Sequence, residues 1–375
     1  MRSALSALFL GVTVFAPLLL LGQDEKETPK PEKKPELREP GQSEITPRVE
    51  AAIAKGLQYL NKNQRRSGEF SSSVPVATTS LACLAFMASG SSPSRGQYKD
   101  NIRRGLEYMV KMCDKSGYIQ ENGGGMGGAS GMHGHGFATL FLGEALGMIE
   151  DPELYEKVSS ALRRAVHCIE QSQNKFGGWN SSPSPAQSDD GSGAVAIMQI
   201  AGLRAARNAG ISVKDGIIEK SKKYLLEMTN DAGWYQYNYN SRGGRNSSGL
   251  TGPGMYMIGA LGMQDNPKYG KGIKNLMDHA PFLGGGGAGG DSGWGSWYHY
   301  TLFFSSLAIF QKGGAEWRKW YPAMREEVIK QQSPDGSVTN DPYGGLYTSF
   351  AILSLQLPYR YLPFFQEGGA GREGK

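Results

Sequence analysis

Cysteine is scarce: Cys83, Cys113 and Cys168 are the only three in 375 residues. An odd number without C-x-x-C spacing excludes a disulfide framework and a zinc ribbon. It reads as three small buried apolar side chains. No P-loop, G-x-S-x-G, H-E-x-x-H or G-C-G-E-Q occurs, which removes the phosphate-cradle, serine-hydrolase, zinc-protease and thioester readings. Charge of one sign is also missing. The net charge is +5 and the basic residues are scattered, so no basic face points to nucleic acid. Glycine, by contrast, is abundant: 53 residues, about twice the usual share, in a chain of ordinary apolar content. This combination describes a globular protein with many tight turns.

The first 22 residues, "MRSALSALFLGVTVFAPLLLLG", read as a secretory signal cut after Gly22. The apolar stretch from Ala4 to Leu21 is long for such a signal; left uncleaved, it would tether the chain to a membrane. Residues 23–47 are Pro-rich, of mixed charge and nearly devoid of apolar side chains, so a disordered spacer is expected there. Residues 367–375 read the same way. The folded unit is expected over 48–366, in a secreted or periplasmic protein.

Internal repeats govern the rest. In six places an apolar residue precedes a glycine by eight positions: Leu60/Gly68, Met109/Gly117, Ile169/Gly177, Leu225/Gly233, Leu276/Gly284 and Val328/Gly336. The glycines follow one another at intervals of 49, 60, 56, 51 and 52 residues. Each unit reads as an amphipathic helix, a Gly turn, a loop and a second helix that is apolar nearly all round, as a buried helix must be. An open solenoid needs polar end caps, but "LACLAFM" and "FAILSLQL" in the first and last repeats are both apolar. Closure follows. The fold class is all-α, an α/α toroid of six helical hairpins with inner and outer rings.

"RAVHCIEQSQNKFGGW", Arg164 to Trp179, resembles the QW motif of the terpenoid cyclase and protein prenyltransferase superfamily, with Arg164, Ala165, Ile169, Gln173, Gly177 and Trp179 in place and Cys168 for the aromatic residue. Lys55, Gly56, Tyr59, Leu60, Gln64 and Gly68 match in the first repeat, with Phe70 for the Trp. Within the superfamily, "HGHGFATLFLGEALGM", "LRAARNAG" and "PYRYLPFFQ" resemble secreted bacterial repeat proteins of prenyltransferase/squalene-oxidase type, whose biochemical role is not established.

In a closed toroid every inner helix begins at one rim, so residues distant in sequence converge on one mouth. They include His133 and His135, Asp189 and Asp190, Trp297, Tyr298 and His299, and Tyr343 and Tyr347. Asp189 and Asp190 are the candidate catalytic pair; the alternative is that one of them N-caps the helix that follows. "QSDD" matches only the last two positions of the D-x-D-D acid motif that class II terpene cyclases use to protonate an alkene or epoxide. His133, His135, Trp297, Tyr298, His299 and Tyr347 are candidate ligand contacts. His133 and His135 are also metal candidates, together with an Asp of the neighbouring repeat. The prenyltransferase zinc pattern does not carry over, because no Cys begins an inner helix in that spacing; no cofactor is implied.

The function read from these residues is binding of a small-molecule or lipid-like ligand, apolar or isoprenoid, in the central cavity. One alternative is a class II cyclase-like enzyme with Asp189 as general acid. The other is a polysaccharide lyase or hydrolase on the same barrel, pairing Asp189 with Glu144 or Asp291.

Overall fold

The computed structural model describes residues 44–121, 131–184, 191–239, 247–284, 297–338 and 340–366. Asp189, Asp190, Asp291, the signal segment and the C-terminal tail lie outside them. Among the described residues there are twelve α-helices and no strand beyond isolated bridges. The outer ring is α1 (Pro47–Asn63), α3 (Lys99–Met112), α5 (Pro152–Ser172), α7 (Asp215–Met228), α9 (Pro267–His279) and α11 (Gly314–Lys330). The inner ring is α2 (Pro75–Ala88), α4 (Met132–Leu146), α6 (Gly193–Asn208), α8 (Ser248–Ala260), α10 (Tyr298–Lys312) and α12 (Leu346–Leu355). No helix of the described residues is long and apolar enough to cross a membrane.

Burial follows the pattern of the sequence. Every residue of α2 and α4 is buried, whereas α3 buries only the face carrying Asn101, Ile102, Gly105, Leu106, Tyr108 and Met109. Three outer helices, α1, α5 and α9, carry side-chain caps; Asp151 accepts from the Glu153 and Leu154 amides, for example. The folded chain starts earlier than Arg48. Thr46 caps α1, and Glu44 is fixed on α11 by Trp317 Nε1 and Arg325 Nη1, each at 2.8 Å. The last four residues of the expected spacer therefore belong to the fold.

The repeated glycines act as joints. Gly68, Gly117, Gly177, Gly233 and Gly336 all have φ between +87° and +103°, a region that other L-residues rarely enter. Each also presses on the backbone of the next outer helix at the basic residue that opens the motif. A Cβ would lie 2.3 Å from Arg104 O at Gly68, 2.1 Å from Arg164 O at Gly117, 2.3 Å from Lys220 O at Gly177 and 2.2 Å from Lys55 O at Gly336. At Gly233 it would meet Lys271 C at 2.7 Å. The motif glutamine completes the joint. Gln64 Nε2 donates to Gly68 O and Asn101 O, Gln173 Nε2 to Gly177 O and Ile217 O, and Gln332 Nε2 to Gly336 O and Ala52 O. One amide group thus holds its own turn and the neighbouring helix.

The Gln332 joint also closes the ring, since it ties the sixth hairpin to the first. Gln356 Nε2 adds a bond from the end of α12 to Ala85 O in α2 at 3.1 Å. One joint departs from the rule. Gly284 has φ +80°, but no described atom lies within 4 Å of its missing Cβ. The fifth turn meets α11 through a side chain instead, Phe282 lying edge-on to Trp320 at 4.8 Å. A groove of about 330 Å³ lies between α9 and α11, lined by Ile273, Met277 and Ala315 among others.

This contrast is testable by chemical denaturation. Gly177→Ala meets both the φ penalty and the Lys220 carbonyl, and should cost about 3 kcal/mol or more. Gly284→Ala meets the φ penalty alone and should cost about 1 kcal/mol. Equal losses at the two sites would show that the joints contribute nothing beyond backbone conformation.

Candidate functional site

His133 and His135 both begin α4, yet they serve opposite sides of it. Two residues along a helix turn the side chain by about 200°. His135 points between the rings. Its Nδ1 accepts from the Ile119 amide at 3.1 Å, and its Nε2, which must then carry the proton, donates to Ala165 O at 3.3 Å. Other repeats fill this slot with threonine: Thr79 accepts from the Phe70 amide, Thr251 from Tyr235 and Thr348 from Val338. His135 is a threonine substitute that fastens a turn. The pair therefore cannot share a metal ion, which corrects that expectation. Among the described residues no group of three or more His, Cys, Asp or Glu is placed to hold one.

His133 faces the axis. It is 6% exposed, lies edge-on to Phe137 at 5.1 Å and meets Tyr300 at 5.7 Å between ring centroids. Since α4 and α10 stand opposite one another in the inner ring, the Tyr300 contact spans the axis. Among the described residues neither nitrogen of His133 has a hydrogen-bond partner. Of the other buried polar atoms that lack a partner among the described residues, Gln199 Oε1 and the hydroxyls of Tyr235 and Tyr300 belong to the elements around it; the rest, Glu121 Oε1, Ser305 Oγ and Gln356 Oε1 among them, are spread through the molecule. Gln199 is held beside His133, because its Nε2 donates to Met132 O at 2.6 Å.

Tyr235 arrives from outside the inner ring. It sits two residues after Gly233, the position that Trp179 takes in the third repeat. Its ring threads between α6 and α8 where Gly193 and Gly254 leave room; a Cβ there would come within 2.7 Å of Cε1 and 2.4 Å of Cδ2 respectively. Tyr300 is near enough to contribute to the upward shift that burial imposes on the Tyr235 hydroxyl. Side chains of α4, α6, α10 and the turn before α8 thus carry five polar atoms that lack a partner among the described residues. Each buried unsatisfied group costs about 1–3 kcal/mol.

Below the mouth the axis is solid. Phe137, Phe303, Phe304 and Phe350 fill it, each at most 2% exposed. The far end is stoppered by the chain terminus. Phe364 packs on Tyr256 and Phe304, its N–H donates to Glu144 Oε2 at 3.1 Å, and its carbonyl accepts from Tyr256 Oη at 2.5 Å. Arg204 and Gln311 hold Gln366 O. This is the work of Glu144, which lies eleven residues beyond His133, or about 16 Å along α4. Its burial raises its pKa to about 7. Asp189 and Asp291, the other acids of the pairing read from sequence, lie outside the described residues.

The remaining sequence candidates form a separate patch at the seam of α10, α11 and α12. Trp297 is the N-cap residue of α10 and half-buried. His299 stacks on Tyr347 at 4.8 Å, Tyr347 meets Tyr343, and His299 Nε2 bonds Gln331 Oε1 at 3.1 Å. Tyr298 lies edge-on to His299. The helix that follows Asp189 and Asp190 is capped at Ser192, so neither acid is its N-cap residue. Sequence reading did not find Gln199, Tyr235 or Tyr300. The signals were a lone Gln in the apolar run "AVAIMQIAGL", the motif register that equates Tyr235 with Trp179, and the residue after His299.

Burial holds His133, His135 and His299 neutral by lowering each pKa to about 4. The unfolded chain binds their protons from about pH 6.5 downward. Their stability is therefore complete above 6.5 and is lost as pH falls toward 4. Glu144 acts in the opposite sense between about 4.5 and 7, and the upward shifts that burial gives Glu121 and Asp341 act with it, but the three histidines carry the larger share. The thermal midpoint should fall on acidification from pH 7 to 4.5; a flat profile would contradict the buried histidines. His135→Thr should keep the fold by restoring the bond its sister repeats make. His135→Val should lose about 1–3 kcal/mol.

Neither protein-family models nor curated proteins give a match to this chain. Solved structures do. The type II terpene cyclase MstE from Scytonema aligns with a TM-score of 0.54 and 15% identity over 82% of this chain and 98% of its own. An inactive variant of the alpha-1,6-mannanase GH76A of Salegentibacter sp. HEL1_6, in complex with alpha-1,6-mannotetrose, gives 0.58 and 11% over 84% and 99%. A D-mannose isomerase gives 0.56 and 12% over 84% and 98%. At such identities the likeness is one of fold alone: this chain is an α/α toroid.

Proposed function

We propose that this protein is an exported toroid that binds one small uncharged ligand, with a polar head and an apolar body, at the mouth of its axis. The observation that carries the reading is the set of buried polar atoms without partners on His133, Gln199, Tyr235 and Tyr300. Native proteins pair such groups almost without exception, and a cluster of them facing one point is what a ligand's polar head would satisfy. The rings of Phe137 and Tyr300 supply apolar walls. Burial alone lowers the His133 pKa among the described residues, none of which sets a charge against its ring. The structural neighbours include a terpene cyclase in complex with geranylgeranyl dihydroxybenzoate, which supports an isoprenoid-like body. Export rests on the apolar N-terminal segment alone.

Geranylgeraniol is a suitable probe, measured by equilibrium dialysis against the full chain. We expect saturable binding of one molecule per chain. His133→Phe should weaken it about tenfold or more, the loss of one hydrogen bond in a dry site. The same change should leave thermal stability unchanged or raised, because it removes two unsatisfied nitrogens. A loss of stability with binding intact would make His133 a core residue. Hydrolysis of alpha-1,6-mannotetrose by the wild-type chain would move the assignment to the hydrolases.

A further inference from the structure

We propose that residues 357–366 form a pH-governed stopper at the foot of the axis. The Glu144 carboxyl latches it when protonated and lets it open when ionised. This holds whatever binds at the mouth.

The segment belongs to no hairpin. It consists of two three-residue 3-10 turns, Leu357–Tyr359 and Pro363–Phe365, joined through Arg360. Arg360 has φ +55°, in the left-handed region that side chains disfavour. Beyond these turns four side chains hold its backbone, all near its end. Glu144 accepts from the Phe364 N–H, Tyr256 donates to Phe364 O, and Arg204 and Gln311 donate to Gln366 O. Phe364 and Phe365 press their rings on Phe303. Single side-chain bonds of this kind, rather than a helical ladder, let a terminal segment leave as a unit. Its departure uncovers Glu144 and the foot of the aromatic column, while the six hairpins keep their joints.

The carboxyl couples that motion to pH. Under the closed stopper Glu144 is 5% exposed and titrates at about 7; in water it returns toward 4.5. Among the described residues Arg204 on α6 is the cation acting on it, and it favours the charged form, but burial outweighs it. Tyr256 on α8 stays protonated, because burial raises its pKa. The helices α2, α3 and α5, which also pack on α4, add no charge to the balance. The closed state therefore binds the Glu144 proton more tightly than the open state. Each pH unit between about 4.5 and 7 shifts the balance up to about tenfold toward opening, and above 7 the shift stops. The molecule as a whole moves the other way, since its buried histidines stabilise it as pH rises. Loosening of the stopper with rising pH thus has the opposite sign to general unfolding.

Hydrogen exchange of the full chain tests this, read by mass spectrometry as protection factors so that the intrinsic pH dependence of exchange is divided out. From about pH 5 to about pH 7.5, protection of residues 357–366 should fall about tenfold or more, while that of α4 and α10 holds or rises. Glu144→Gln keeps the acceptor and removes the titration, so its stopper should be equally protected throughout. Tyr256→Phe removes a bond to Phe364 without touching the titration. It should lower protection several-fold at every pH and keep the wild-type slope.

A flat wild-type profile would overturn the latch, and so would an equal fall in Glu144→Gln. Protection lost from α4 and α10 in step with the stopper would also overturn it, because the opening would then be global. Should Glu144→Gln fail to fold, the wild type and Tyr256→Phe decide. Parallel falls confined to the stopper support the latch, and flat profiles or different slopes overturn it.

Discussion

The architecture depends on one backbone contact, made five times. A glycine in a left-handed conformation ends the turn after each outer helix and lies against the peptide of the next, where a Cβ would overlap backbone atoms. The distance is set by covalent geometry, so each hairpin is placed on its neighbour with little freedom. The glutamine four residues earlier adds specificity to this contact, because its amide reads the carbonyls of both partners. Where the glutamine is replaced, the carbonyls find other donors. Cys113 Sγ lies 3.9 Å from Ala161 O, and Lys268 Nζ reaches Thr229 O and Leu226 O. The QW-type pattern is thus a description of one joint seen from the sequence.

A ring made this way brings six helix starts to one rim and leaves the axis to be filled from inside. Aromatic side chains fill it almost throughout. At the mouth the apolar filling stops at His133 and Tyr300, and several polar atoms there have no partner among the described residues. Proteins keep such a cost where a site needs it. Glycines on α6 and α8 that admit Tyr235 to the axis fit the same view, for a tryptophan in that slot, as in the third repeat, stays outside the inner ring. Trp179 donates its Nε1 to Ile169 O and contributes nothing to the mouth.

The hairpins, the inner and outer roles and the closure were all legible, because apolar periodicity and glycine spacing are local signals repeated six times. The site was legible only in part. His133 and His135 look equivalent in "HGHG", and helical phase alone separates the axial residue from the one that replaces a threonine. Glu144 is conspicuous as a lone acid in an apolar helix, but its partner is an amide 220 residues away. Gln199 and Tyr300 gain their meaning from opposite helices, and no pattern within one repeat encodes a contact across the axis. The acid pair that first draws the eye lies outside the described residues.

The terminal stopper has a consequence for how the molecule is made. Phe364 closes the bottom of the axis through contacts to α4, α8 and α10, and the first hairpin is bonded to the sixth across some 280 residues. Neither can form until nearly the whole chain has been synthesised. A growing chain can stack hairpins one by one, but it carries an open apolar seam and an unfilled axis until its last residues emerge. Closure of this toroid therefore waits for residues 332–366. A chain cut just before Phe364 loses its stopper and leaves the aromatic column open to solvent.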